Sequence, residues 1–78
     1  MNIVKVLTNI SISANSYTEV DYPTGFDRNN TMILGFKIAY YYIDYSNFSV
    51  ELTTSKIKIH NNSSQNWQGI SIALYKAS

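Results

Sequence analysis

Thr31-Met32-Ile33-Leu34-Gly35-Phe36-Lys37-Ile38-Ala39-Tyr40-Tyr41-Tyr42-Ile43-Asp44-Tyr45 is the most apolar stretch of the chain, and its reading decides the fold class. The apolar positions do not recur at three and four, and β-branched and aromatic residues dominate, so a helix is disfavoured. Read with a period of two, Leu34, Phe36, Ile38, Tyr40 and Tyr42 share one face, and Ile33, Ala39, Tyr41, Ile43 and Tyr45 share the other. One flat strand of this length would span roughly 50 Å, which predicts a bend, bulge or turn at Gly35 or near Ala39-Tyr40. Apolar residues on both faces mark either a central strand or a strand that meets another chain. The expected subunit contact is therefore Phe36, Ile38, Tyr40 and Tyr42, or the alternate face with Tyr41 and Ile43.

The same period extends outward in both directions. Upstream, Asp27-Arg28-Asn29-Asn30 reads as a loop, and Pro23-Thr24-Gly25 ends a strand that alternates from Tyr17 to Tyr22, with Glu19 and Asp21 opposite Val20. Before the Asn15-Ser16 turn, Val4, Val6, Ile10, Ile12 and Ala14 fall on one face. Downstream, Tyr45-Ser46-Asn47 reads as a tight hairpin leading into Phe48, Val50 and Leu52, and Thr53-Thr54-Ser55 turns the chain again. Ile57 and Ile59 then point inward, with Lys56, Lys58 and His60 outward. Residues 61–66 form a loop of Asn, Ser and Gln, and Trp67 enters a last strand in which Ile70, Ile72 and Leu74 alternate with Ser71, Ala73 and Tyr75. No stretch reads as a helix longer than a turn, and no repeat or linker is present. Residues 1–78 form one all-β domain: a small antiparallel β-sandwich of six to seven strands, jelly-roll or Greek-key-like in order.

Composition narrows the function classes. Charged residues are 14% of the chain and the net charge is +1, too little for a protein that works by attracting phosphates, so neither nucleic acid nor a membrane surface is an expected partner. Asn, Ser and Thr, 25 of 78 residues, carry the polarity instead. Few charges point weakly to an oligomer, because buried interface cores lose charged residues first. With 78 residues and no Cys, burial alone holds the fold and sister chains add useful burial. Lys5 and Asn9 interrupt the N-terminal apolar residues, so neither a signal peptide nor a transmembrane segment is readable. That leaves the cytoplasm of the producing cell as an expected location.

Catalytic chemistry is hard to assemble from this inventory. Glu19 and Asp21 share a strand face roughly 6.7 Å apart, within the range of a glycosidase pair, but nothing nearby would raise one pKa, so they read as a solvated face. His60 reads as a surface residue, there is no Cys, and no nucleophile elbow or phosphate loop occurs. Asp27-Arg28-Asn29-Asn30 offers oxygens but lacks the further acids of a calcium loop. An enzyme is not expected, nor is any metal or cofactor.

Two binding readings remain. Trp67 with Asn61, Asn62 and Asn66 forms a candidate ligand edge, suited to sugars by stacking and neutral hydrogen bonding; alternatively Trp67 seals the core. The aromatics of the Phe36–Ile43 run suit a subunit interface.

Ile10-Ser11-Ile12-Ser13-Ala14-Asn15-Ser16-Tyr17, Pro23-Thr24-Gly25-Phe26, Asn30-Thr31-Met32-Ile33-Leu34-Gly35, Ile57-Lys58-Ile59-His60-Asn61-Asn62 and Ile70-Ser71-Ile72-Ala73-Leu74-Tyr75-Lys76 together cover most of the chain. In these segments it resembles the small C-terminal β-sandwich modules of phage and prophage appendage proteins, such as tail-fibre or head-fibre tips. The resemblance implies a homotrimer in a virion structure, with a role in attachment to a host-surface glycan or protein. It transfers no binding residue. The expectation is a non-enzymatic, homotrimeric structural and receptor-binding module; the alternative is a monomeric carbohydrate-binding module.

Overall fold

In the computed structural model, which describes residues 3–38 and 47–76, six strands form two antiparallel three-stranded sheets. The strands are β1 (Ile3–Ile12), β2 (Ser16–Asp21), β3 (Thr31–Ile38), β4 (Phe48–Leu52), β5 (Lys56–Asn61) and β6 (Trp67–Lys76). One sheet has the order β1-β6-β3 and the other β2-β5-β4. First pairs with last and second with fifth, the nested winding of a jelly roll. The all-β sandwich read from the alternation is what the chain forms.

The period-two rows face each other across the sandwich. Ile57 and Ile59 from β5, and Ile70, Ile72 and Leu74 from β6, are fully buried, because both central strands are covered by a neighbour on each side and by the opposite sheet. Phe36 of β3 and Phe48 of β4 stack across the gap between sheets, ring centroids 5.4 Å apart. Phe26, in the loop before β3, closes one end of this core. Its approach is set by a type II turn: the Phe26 N–H donates to the Pro23 carbonyl at 2.9 Å, and Gly25 sits at φ 87°, where a side chain would be strained.

Two bulges reassign faces that simple alternation predicts wrongly. Between the pairs Leu7↔Ile72 and Ile10↔Ile70, β1 takes three steps against two on β6, and Asn9 lies at φ 60°. The extra residue switches the parity of the strand. Val4 and Val6 therefore face outward while Ile10 and Ile12 face the core, instead of all sharing one face. The surplus reverses between Ile10↔Ile70 and Ile12↔Trp67, where β6 takes the extra step and Gly69 lies at φ 70°.

On β3 the pair Ile33↔Leu74 is followed by Gly35↔Ala73, so Leu34 is the additional residue. This is the irregularity expected near Gly35. Its consequence is that Leu34 points to solvent while Phe36 and Ile38 point inward. The positions expected for Tyr40, Tyr41, Tyr42 and Ile43, and the hairpin at Tyr45-Ser46, lie outside the described residues.

Candidate functional site

The two outer faces of the sandwich differ in chemistry. On the β2-β5-β4 sheet the outward residues are charged and paired by sign across the ladders. Lys56 is opposite Asp21 and ion-paired with it; Lys58 lies between Glu19 on one neighbour and Glu51 on the other. The Lys58 Nζ also sits 4.1 Å above the Tyr17 ring, a cation–π contact, and the Tyr17 and His60 rings are 5.5 Å apart. Glu51 Oε1 is 4.0 Å from His60 Nε2. The Asp21 carboxylate raises the Lys56 pKa, first by hydrogen bonding and then by its charge. Opposite charges directly across strands favour this face in water. Glu19 and Asp21 thus belong to cross-strand pairs.

The β1-β6-β3 sheet presents the reverse. Of the five large hydrophobic side chains exposed among the described residues, four (Val4, Val6, Met32 and Leu34) are 55–59% exposed on this one face. Val4, Tyr75 and Met32 align in register across β1, β6 and β3. The next row is Val6, Ala73 and Gly35, and Ser71 pairs with Lys37 beyond it. Because the second and third rows carry small residues on β6, the surface sinks there into an open trough of about 700 Å³, with Gly35, Ser71 and Ala73 among its lining and Val6, Leu34 and Lys37 at its sides. From strand spacing and rise, these rows cover on the order of 400 Å². That is the size of the largest apolar patch on a typical monomer, a patch that often serves binding.

The bulges create this face. Without the extra residues at Asn9 and Leu34, the parity of β1 and β3 would not place Val4, Val6 and Leu34 beside Ala73 and Tyr75. Sequence alternation missed it for that reason: Val4 and Val6 read in phase with Ile10 and Ile12, and Met32 and Leu34 with Phe36 and Ile38.

The residues expected at an interface or ligand edge are distributed differently. Phe36 and Ile38 are 9% and 5% exposed, in the core, so neither is available for a subunit contact; their outward neighbours Leu34 and Lys37 are. Asn61 is fully buried and does not form an edge. Its Nδ2 donates to the carbonyls of Ile12 (3.2 Å), Ser13 (3.2 Å) and Gln65 (2.8 Å), and its Oδ1 accepts from the Ser63 N–H (3.0 Å) and hydroxyl (2.7 Å). Asn62 and Asn66 are exposed but engaged: Asn62 Nδ2 donates to Ser49 Oγ, and Asn66 Oδ1 accepts from the Ala14 N–H at 2.8 Å. Trp67 is half-buried against the core, with its Nε1 donating to Ser63 Oγ at 3.1 Å. Much of the polar capacity of the 61–66 loop is spent on closing the loop and tying it to the β1–β2 turn, where the Asn15 N–H donates to the Ser63 carbonyl.

The Asp27 Oδ1 accepts the Asn29 and Asn30 N–H groups, the work of a turn. No group of three or more potential metal-ligating side chains gathers among the described residues. The described residues hold no helix long and apolar enough to cross a membrane. No protein-family model matches the sequence, and no curated protein or solved structure is detectably similar to it.

Proposed function

We propose that this domain is a non-enzymatic structural and binding module of the virion-appendage kind, working as a homotrimer whose copies meet through the outer face of the β1-β6-β3 sheet. The observation that carries the reading is the division of the two outer faces: one dressed in cross-strand ion pairs, the other in Val4, Val6, Met32 and Leu34. Covering the second face removes exposed apolar surface, and leaving the first in water keeps its charges hydrated. A net charge of +1 sets no long-range repulsion against association of identical chains. Attachment to a host glycan or protein would then fall to the loops at the ends of the sandwich, around Asn62, Asn66 and Trp67, which assembly through the sheet face leaves open.

Light scattering on the purified chain tests this. The expected mass is three times 8.9 kDa at micromolar concentration. Val6→Lys or Leu34→Lys on the exposed face is expected to weaken association at least about a hundredfold, since an unpaired buried ammonium costs several kcal/mol, with the fold retained. A mass of one chain throughout that range overturns the assembly reading. If that monomer shows Trp67 emission quenched by simple sugars, the carbohydrate-binding alternative takes its place.

A further inference from the structure

The edges of the two sheets are not alike. β1 and β3 each carry a bulge, which interrupts the row of backbone groups that an added strand would need. β2 and β4 run without one. β2 is the longer, six residues in unbroken register from Ser16↔Asn61 to Asp21↔Lys56, and bears two acids to the one on β4. Every second residue of β2 turns its N–H and C=O away from β5. Among the described residues, no hydrogen bond beyond the β5 ladder reaches the backbone of Ser16–Asp21.

The side chains of β2 specify what would pair there. Outward, Tyr17, Glu19 and Asp21 are exposed, Asp21 with 80% of its side chain in water. Inward, Thr18 and Val20 are half-buried, and Val20 packs on the core. β5 already answers this pattern on the other edge: Lys58 lies opposite Glu19 and Lys56 opposite Asp21, with Ile59 opposite Thr18 and Ile57 opposite Val20. Charge is left over, because three carboxylates on that face (Glu19, Asp21 and Glu51) stand against the two ammonium groups of Lys56 and Lys58.

We infer that the free edge of β2 docks an extended segment of a partner protein, in which Lys or Arg alternates with a β-branched residue, as a fourth strand of the sheet. Main-chain hydrogen bonds along the edge supply the affinity, and the alternate side chains choose the partner. Its basic residues fall beside Glu19 and Asp21, and its β-branched residues continue the inner row past Thr18 and Val20. The β2 of a second copy is a poor occupant, because a pairing centred on Glu19 sets carboxylate against carboxylate. Assembly through the outer face of the other sheet leaves this edge open, so the inference does not depend on it.

Fluorescence anisotropy tests it: a labelled acetyl-Lys-Ile-Lys-Ile-Lys-Ile-amide peptide is titrated with the full chain at low ionic strength. Saturable binding is expected. N-methylation of one alternate set of peptide residues should abolish it and methylation of the other set should not, because only one set donates to β2. Glu19→Gln/Asp21→Asn should weaken binding about two- to thirtyfold, the loss of two cross-strand charge pairs. Far-ultraviolet dichroism checks the fold of that variant, and the methylated peptides decide the matter on the unaltered chain if it is misfolded. Equal behaviour of the two methylated peptides means charge attraction without strand addition and overturns the inference, as does an absence of saturation. Self-association that strengthens in the Glu19→Gln/Asp21→Asn variant also overturns it, since β2 then pairs with a second copy.

Discussion

Replacing Asn61 by Ala should cost more stability than any other single polar substitution in the described residues. Its amide makes five hydrogen bonds at zero exposure, three as donor to carbonyls and two as acceptor from Ser63. Two amide hydrogens shared among three carbonyls do not give three full bonds, so about four are counted. The bonds to Ser63, Ser13 and Gln65 lie where water can enter; the Ile12 carbonyl is buried and has no substitute. At about 0.5–1.5 kcal/mol per bond lost, with a further ~1–3 kcal/mol for an orphaned buried carbonyl, the loss is at least about 3 kcal/mol.

A domain of this length has a total of roughly 4–12 kcal/mol, so the midpoint temperature should fall by at least about 12 °C. Urea unfolding followed by Trp67 emission and far-ultraviolet dichroism measures it. Because Trp67 Nε1 is bonded to Ser63, a loop that opens by itself would show as an emission change ahead of the dichroism. Asn61→Asp separates donor from acceptor loss: it keeps the shape and the acceptors but, ionised, sets a carboxylate against three carbonyls. Its stability should be at least as low as that of the Ala variant at neutral pH and should recover as acid protonates it. A loss below about 1 kcal/mol for Asn61→Ala would refute the hub.

Two further outcomes follow from the core and from titration. Phe48→Ala opens a cavity opposite Phe36 and should cost about 3–5 kcal/mol in urea unfolding; Ser49→Ala, one residue along on the exposed face, should change stability by under about 0.5 kcal/mol. Stability should also decline in alkali. Burial, with Asp27 adding and Arg28 opposing, raises the Tyr22 pKa above its ordinary 10.0, and Asp21 raises that of Lys56. For a group whose pKa is higher in the folded state, the contribution is fully present below the unfolded value and is lost as pH climbs through the folded one, here above about pH 10. Tyr22→Phe should flatten that decline in a pH series of thermal melts, although it also deletes the hydrogen bond from the Tyr22 hydroxyl to the Thr53 carbonyl. A wild-type curve already level from pH 9 to 11 would contradict it.

The strand character of this chain is written in nearest-neighbour terms, and so it was legible. Ile57, Ile59, Ile70, Ile72 and Leu74 alternate with polar or small residues, and that alternation alone places them inside, where they are. Turn chemistry is equally local: Pro23-Thr24-Gly25 needs only its own residues to bend. The all-β class followed without reference to distant segments.

Pairing and parity belong to the tertiary structure. A bulge exists only relative to a partner strand, and Asn9 and Leu34 become additional residues because β6, some sixty and forty positions away, supplies one fewer. Those two insertions moved Phe36 and Ile38 into the core and collected Val4, Val6, Met32 and Leu34 on one outer face. Asn61 in sequence is one more polar residue in a polar loop. Only the arrival of the Ile12 and Ser13 carbonyls, 49 and 48 residues distant, turns it into a buried hub, because a hydrogen bond is decided by where both of its partners end up.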